Sequence, residues 1–431
     1  MERIWTTQLG THTGERVRLA GWVHRFRQQS RVSFLVLRDA QGTAQVVVQD
    51  PDSVSLLAGL YNESVIEVEG IVAAEAQAPG GAEIREPTIK VISPSDAPPI
   101  DIFRPTLSAQ LPTILDNAAL TLRHPRHRAI FRLSAATMAG FRLGLRRREF
   151  VEIQTPKIVG SSTESGSNVF RLDYFGRPAY LAQSPQFYKQ TMVGVYERVF
   201  EVGPVFRAEP HDTPRHLNEY VSLDAEMGFI KDHTTVMETL AEVAGEMLAA
   251  LDEESAAISL LGVNVPQVPA TIPSIHFAEA KRLYTEATGD NTLEEPDLSP
   301  AEERWLGELA QGEYGSDFLF VTGYPMAKRP FYTHPNPHDP RYSNSFDLLF
   351  RGMEVVTGGQ RLHKYQDYLQ AISERGLDPE PLEGYLQAFK YGMPPHGGFA
   401  IGLERWVARL VGAANVRETT LFPRDLQRLA P

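Results

Sequence analysis

A chain of 431 residues is long enough for two domains, and its composition, 42% hydrophobic and 22% charged, is that of a globular protein. The absence of cysteine excludes disulfides, thiolate zinc sites and a cysteine nucleophile, and no apolar run reaches the roughly 18 residues of a membrane span. A net charge of −12 argues mildly against nucleic acid as partner. The start, Met1 to Thr7, lacks the basic and apolar regions of a signal peptide, so a cytoplasmic protein is expected.

The first hundred residues read as short strands: Val17 to Val23, Phe34 to Leu37, Thr43 to Gln49, Val65 to Val72 and Ile84 to Ile92. Turn-rich segments such as Asp39 to Gly42 and Ala78 to Gly81 separate them. Five such strands predict a small closed barrel, of which the OB-fold is one case among several. Prolines at 94, 98, 99, 105 and 112 predict a hinge, 105–125, between a domain over 1–104 and another over 126–431. Arg126 to Glu149 has helical periodicity, with Ile130, Leu133, Met138, Phe141 and Leu145 on the buried stripe. From Asn117 to Arg148 eight arginines occur without an acid, and Arg25, Arg27, Arg31 and Arg38 form a second basic group; both read as solvated faces or as tracks for a polyanion. Further helices are predicted over Thr234 to Leu251 and Tyr365 to Arg375. Asp252 to Gly323 carries no legible chemistry. His124, His127, His334 and His338 lack companions at metal-ligand spacing.

Three segments carry chemistry. An apolar run, Val199 to Phe206, leads into Arg207-Ala208-Glu209; a polar loop then returns through His216-Leu217-Asn218-Glu219-Tyr220 to Asp224-Ala225-Glu226, which predicts a hairpin with charges on its strands. Alone, this would read as a salt-bridged surface hairpin. Gly397-Gly398-Phe399-Ala400-Ile401-Gly402-Leu403-Glu404-Arg405 predicts a close-packed strand entering a helix. Arg148 to Ile158 joins a helix to a strand near Pro156. In order and spacing these resemble motifs 2, 3 and 1 of the class II aminoacyl-tRNA synthetases. Gln183-Ser184-Pro185-Gln186-Phe187-Tyr188-Lys189-Gln190 resembles the QSPQxxKQ signature of the aspartyl members, and the length resembles their compact archaeal type.

That resemblance implies an α+β chain: an N-terminal OB-fold barrel binding the anticodon, and a catalytic domain built on an antiparallel sheet flanked by helices. It implies ATP-dependent activation of aspartate and its transfer to tRNA. Lys189 and Arg361 would take the substrate's side-chain carboxylate, with Gln186 beside them; a buried carboxylate requires a cation. Asp224 and Glu164 would receive the ammonium group. Arg207, Glu209, His216, Tyr220, Glu354 and Arg405 would bind ATP, with Arg207, Glu354 and Arg405 as the catalytic set. Glu354 and Thr357 would hold Mg²⁺, an oxygen-seeking ion. Phe34 would stack on an anticodon base beside Gln45 and Glu83. His24 and Pro79 stand at positions facing the third anticodon base and resemble the non-discriminating type, which charges tRNA-Asp and tRNA-Asn and passes the latter product to an amidotransferase. A homodimer through motif 1 is also implied. Three other readings stay open: an asparaginyl enzyme, which lacks a lysine at position 189, a silent tRNA-binding paralogue, and a tRNA-independent amide ligase.

Overall fold

The computed structural model describes residues 2–29, 31–160 and 168–430. They form two compact units, Met1–His124 and Pro125–Pro431.

In the first unit, β1 (Arg16–Arg27), β2 (Ser33–Arg38), β3 (Thr43–Val48), β4 (Val65–Ala74) and β5 (Ala82–Ser93) close into a barrel in the order β1-β2-β3-β5-β4. Strand alternation explains its filling: Val17, Leu19, Leu35, Leu37, Val46, Val48, Ile66, Val68 and Ile84 all point inward and are buried. A helix, Pro51–Ala58, interrupts the run of strands; Asp50 caps it by accepting from the amide of Ser53, and Pro51 opens its first turn. A bulge between Val23 and Arg25 shifts the register of β1, so that Arg25 and Arg27 lie opposite Val36 and Phe34 on the outer face. Arg38 does not join that basic face. It is buried, with two hydrogen bonds of 2.8 and 2.7 Å to Glu63, which Arg123 also reaches at 3.1 Å. The stretch predicted as a hinge is not free of structure either: Leu111–Asp116 and Ala118–Thr121 are short helices, Pro112 being tolerated because it falls in a first turn.

The second unit is built on an eight-stranded sheet. Its strands are β6 (Val151–Glu152), β10 (Arg198–Phe206), β11 (Glu219–Gly228), β12 (Ser274–His276), β13 (Phe318–Thr322), β14 (Ser345–Phe350), β15 (Met353–Gln360) and β16 (His396–Gly402). They run in the order β12-β13-β14-β15-β16-β11-β10-β6, parallel only at the two outermost pairs. A separate small sheet joins β7 (Ile158–Val159), β9 (Arg177–Leu181) and β8 (Arg171–Tyr174).

The Pro125–Arg146 helix buries Ile130, Leu133, Phe141 and Leu145 as its period requires, while Met138 is only partly buried. A Cβ on Gly140 would stand 2.6 Å from the carbonyl oxygen of Glu246, so this helix and the His233–Ala249 helix meet backbone to backbone. The five arginines from Arg132 to Arg148 are ion-paired. Arg132 pairs with Glu254, Arg142 and Arg146 with Glu152, Arg147 with Glu246 and Arg148 with Glu242. The acids come from other elements, so the run looks cationic only along the chain. Among the described residues, no helix is long and apolar enough to cross a membrane.

Glu63→Ala would leave Arg38 as an unpaired buried charge, at a cost of about 3–5 kcal/mol. A urea titration of the whole chain should then show the barrel unfolding early; a midpoint equal to wild type would contradict a stabilising role for the pair.

Candidate active site

Alternation along β11 turns Ser222, Asp224 and Glu226 to one face, and the neighbouring strand leaves room above them. On β16 the residues opposite are Gly402, Ala400 and Gly398, and across β15 stand Thr357 and Gly359. A Cβ on Gly398 would lie 2.1 Å from the carbonyl oxygen of Ala225 and 2.2 Å from a carboxylate oxygen of Glu226. Small residues therefore make the floor of a cavity of about 290 Å³.

At one end the Gln186–Tyr196 helix brings Lys189 into the cavity wall. Its ammonium lies 3.0 Å from Asp224 and 3.2 Å from Glu226, and donates to the carbonyl oxygens of Ala225 and Phe399 at 3.3 and 3.2 Å. Arg361, just past β15, donates to Glu226 at 3.1 Å and to the carbonyl oxygen of Gly398 at 3.2 Å, and its far nitrogen is 3.5 Å from Gln186. All four charged side chains are buried. Burial by itself would raise Glu226, but Arg361 and Lys189 outweigh it and hold this carboxyl below its usual range.

At the other end Arg207, directly after β10, stands 5.7 Å from the ring of Tyr220 and 3.8 Å from Glu209, which is equally 3.8 Å from His216. Arg405 enters from the Leu403–Val411 helix, 3.6 Å from the Glu354 carboxylate, and donates to the carbonyl oxygens of Arg215 and Glu354 at 3.3 and 3.5 Å. Thr357 donates to Glu354 at 2.9 Å. Burial opposes the charge on Glu354, and Arg405, Thr357, Arg215 and Arg329 together overcome it, leaving the group ionised below its ordinary value.

The structure thus gathers Gln186, Lys189, Arg207, Glu209, His216, Tyr220, Asp224, Glu354, Thr357, Arg361 and Arg405 around one cavity. Glu164 lies outside the described residues. Sequence reasoning missed five residues. Glu226 was in view in its motif but received no role, although period-two spacing from Asp224 puts it on the same face. Asp347 was detectable as a lone acid in Ser345-Phe346-Asp347-Leu348-Leu349-Phe350; it pairs with Arg329 at 3.0 Å, and burial drives its carboxyl well up, with Glu354 adding to the push. Arg329 itself, Arg215 and Glu303 carried no signal.

On the barrel, Phe34 faces outward beside the inward Leu35, which removes it from the barrel core. Gln45 is paired in register with Glu83 and donates to it at 2.9 Å, while Arg85 donates to the other oxygen at 2.8 Å. His24 sits at the bulge of β1, 3.1 Å from Arg38, and Pro79 is exposed ahead of β5. Among the described residues no hydrogen bond or ring contact joins His24 or Pro79 to the Phe34, Gln45 and Glu83 group.

Behind the Lys189 end, a buried chain of hydrogen bonds fixes the wall. His396 holds its Nδ1 proton on the carbonyl of Pro394 and accepts from Gln190 at 2.9 Å; Gln190 accepts from Tyr385 and donates to Tyr368, which donates to the carbonyl of Leu362. Burial, against the pull of Glu226, lowers His396 to about 4. The unfolded chain takes up the proton first, so this group's contribution falls as pH drops below about 6.5 and levels off near 4, by about 3 kcal/mol in all. His396→Gln should melt with a flatter pH dependence than wild type between pH 7 and 4.5; parallel curves would refute the linkage.

The family model described as tRNA synthetases class II (D, K and N) matches residues 110–426, and the one described as OB-fold nucleic acid binding domain matches 17–92. An aspartate–tRNA(Asp/Asn) ligase of Thermus thermophilus is 47% identical over the whole of both chains. One from Deinococcus radiodurans is also 47% identical, over 100% of this chain and 99% of its own. A crystal structure of asparaginyl-tRNA synthetase from Pyrococcus horikoshii, complexed with asparaginyl-adenylate, superposes with a TM-score of 0.94 at 32% identity, all of each chain being covered. With barrel, sheet and motifs matched along nearly its full length, the chain belongs to the class II tRNA synthetases of the D, K and N group.

Proposed function

We propose that this chain is an aspartate–tRNA ligase that charges both tRNA-Asp and tRNA-Asn. The observation that carries the substrate is Lys189, a buried ammonium beside Arg361 in the cavity wall. The four charges at this end sum to zero. The substrate's side-chain carboxylate would sit against Lys189 and Arg361, with Gln186 orienting it, and the ammonium against Asp224 and Glu164. A substrate carboxylate could exchange with Asp224 or Glu226 as the ion-pair partner of Lys189 and Arg361, which a neutral amide cannot do.

ATP would occupy the opposite end, its adenine between Tyr220 and Arg405 and its phosphates toward Arg207, Glu209 and His216. The α-carboxylate of aspartate, ionised at neutral pH, attacks the α-phosphorus in line; the new C–O–P bond forms as the bond to pyrophosphate breaks. Arg207 stabilises the charge that grows on the phosphate oxygens. In the second step a terminal ribose hydroxyl of tRNA attacks the acyl carbon, and AMP leaves. Glu354, Thr357 and Asp347 offer oxygen donors only, with more carboxylate than the burial favours, which suits Mg²⁺; when bound it supplies charge neutralisation along the triphosphate. Intact Arg207, Glu354 and Arg405 argue against a silent paralogue.

Phe34, with Arg25 and Arg27 across the strand and Gln45 and Glu83 alongside, is suited to stack and read an unpaired base. His24, lowered to about 4 by burial and then by Arg38, is neutral at working pH and adds no cation at the third anticodon position. With Pro79 it supports relaxed reading there, and the ligase names of the two bacterial relatives agree with that. The misacylated product would pass to an amidotransferase. A homodimer would use the exposed Leu143, Val151 and Ile158, since the rest of the motif 1 stripe is spent on the internal core.

One observation favours an asparaginyl reading: Glu226 already neutralises the two cations without a substrate carboxylate. Lys189→Met separates the two. It should raise the Michaelis constant for aspartate by a hundredfold or so, the loss of a buried charge pair, with that for ATP nearly constant. Unchanged aspartate kinetics would remove the substrate assignment. For the nucleic acid, transcripts of tRNA-Asp and tRNA-Asn should both accept radiolabelled aspartate at comparable rates. Charging of tRNA-Asp alone would discard the relaxed specificity; charging of neither would discard aspartate.

A further inference from the structure

Glu303 lies in the first turn of the Pro300–Tyr314 helix, within the segment whose sequence carries no legible chemistry. Ser299 caps this helix, and Glu302 completes the capping box. Glu302 also accepts from Thr292 and pairs with the buried Lys281 at 2.8 Å, so its charge is taken. Glu303, one residue on and turned about 100° around the axis, points elsewhere.

The helix is held tightly against the turn between β14 and β15. A Cβ on Gly307 would stand 2.5 Å from the Cα of Gly352, and one on Gly352 would stand 3.0 Å from the Cα of Arg304. Contact of backbone on backbone fixes where the Glu303 carboxylate falls. Both of its oxygens lie 2.8 Å from one guanidinium nitrogen of Arg215, and one of them accepts from the amide of Glu354 at 2.8 Å. Arg215 belongs to the loop between β10 and β11, whereas Glu354 is on β15. These are also the two residues whose carbonyl oxygens accept from Arg405. One buried carboxylate therefore ties together both pieces of backbone on which Arg405 rests.

We propose that Glu303 is a positioning residue for the phosphate end of the site: through Arg215 and the Glu354 backbone it sets Arg405 and Glu354 for a triphosphate. It touches neither substrate, and the assignment rests on the ligase reading above. Glu303→Gln keeps size and one acceptor but loses the charge that holds Arg215. Glu303→Asp keeps the charge with a shorter reach.

The test is aspartate-dependent ATP–pyrophosphate exchange with wild type, Glu303→Gln, Glu303→Asp, Arg215→Met and the Glu303→Gln/Arg215→Met double variant. Glu303→Gln should raise the Michaelis constants for ATP and pyrophosphate about tenfold while that for aspartate stays within about twofold. Glu303→Asp should recover part of the loss. The double variant should be no worse than the poorer single one, because both remove the same link. Equal shifts for ATP and aspartate, additive losses, or an unchanged Glu303→Gln would overturn the proposal. Calorimetric titration with ATP decides the same point without turnover, and a Glu303→Gln that binds ATP as wild type does would overturn it too. A wild type without aspartate-dependent exchange would count against the ligase reading alone, because weaker ATP binding by Glu303→Gln would still support the positioning role.

Discussion

Lys189, Asp224, Glu226 and Arg361 place two positive and two negative charges in one buried cluster, at separations of 3.0 to 3.2 Å. Desolvating four ions costs several kcal/mol each, which mutual attraction recovers only when the geometry is held and the remaining hydrogen-bonding capacity is filled. Much of the catalytic unit serves that condition. Main-chain oxygens of Ala225, Gly398 and Phe399 complete the two cations, and Ser222 donates to Asp224. The strands supplying these oxygens can approach because β16 carries so little side chain. A hydrophobic cluster under the Gln186–Tyr196 helix, with Phe187 stacked at 4.1 Å on Tyr385, keeps the helix bearing Lys189 in place. The arrangement is fully paired without a substrate, so on the aspartate reading proposed above recognition would be an exchange of partners in a fixed frame and not the capture of a loose charge.

The two ends of the cavity obtain rigidity by different routes. At the Lys189 end, side-chain charges meet one another directly. At the Arg405 end, that guanidinium rests on the main-chain oxygens of Arg215 and Glu354, and the Glu303 carboxylate holds the Arg215 side chain and the Glu354 amide. Preorganised cations of this kind stabilise developing charge without reorganising during the reaction.

What could be read from the sequence was what is local or periodic. The five barrel strands follow from alternation, and the hairpin of β10 and β11 from an apolar run, a polar loop and its return. Gln186, Lys189 and Arg361 could be expected at one site because they sit in compact motifs that carry the family resemblance, and they do line one cavity. Glu303 could not be, since its partners Arg215 and Glu354 are remote along the chain and the carboxylate looks like any exposed helix acid until the fold is closed. The arginines between Asn117 and Arg148 look cationic along the chain for the same reason: the acids that pair with five of them, Glu152, Glu242, Glu246 and Glu254, are contributed from outside the stretch. Arg38 likewise belongs to Glu63 and not to the surface.

Gly358 and Gly359 of β15 and Gly397 and Gly398 of β16 leave no room for a side chain. A methyl group at Gly358 would meet the ring of Phe346 at 2.3 Å, one at Gly359 the backbone of Asn344 and Ser345 at 2.8 Å, and one at Gly397 the carbonyl oxygen of Gly359 at 2.6 Å. Together with Gly398 they form a patch where the smallest possible enlargement collides with main chain or with a rigid ring. Such positions have no functional group to lose, yet a side chain there would displace the strands that carry the charges above them. The catalytic unit is thus as sensitive to one added carbon at these glycines as to the loss of a charge above them.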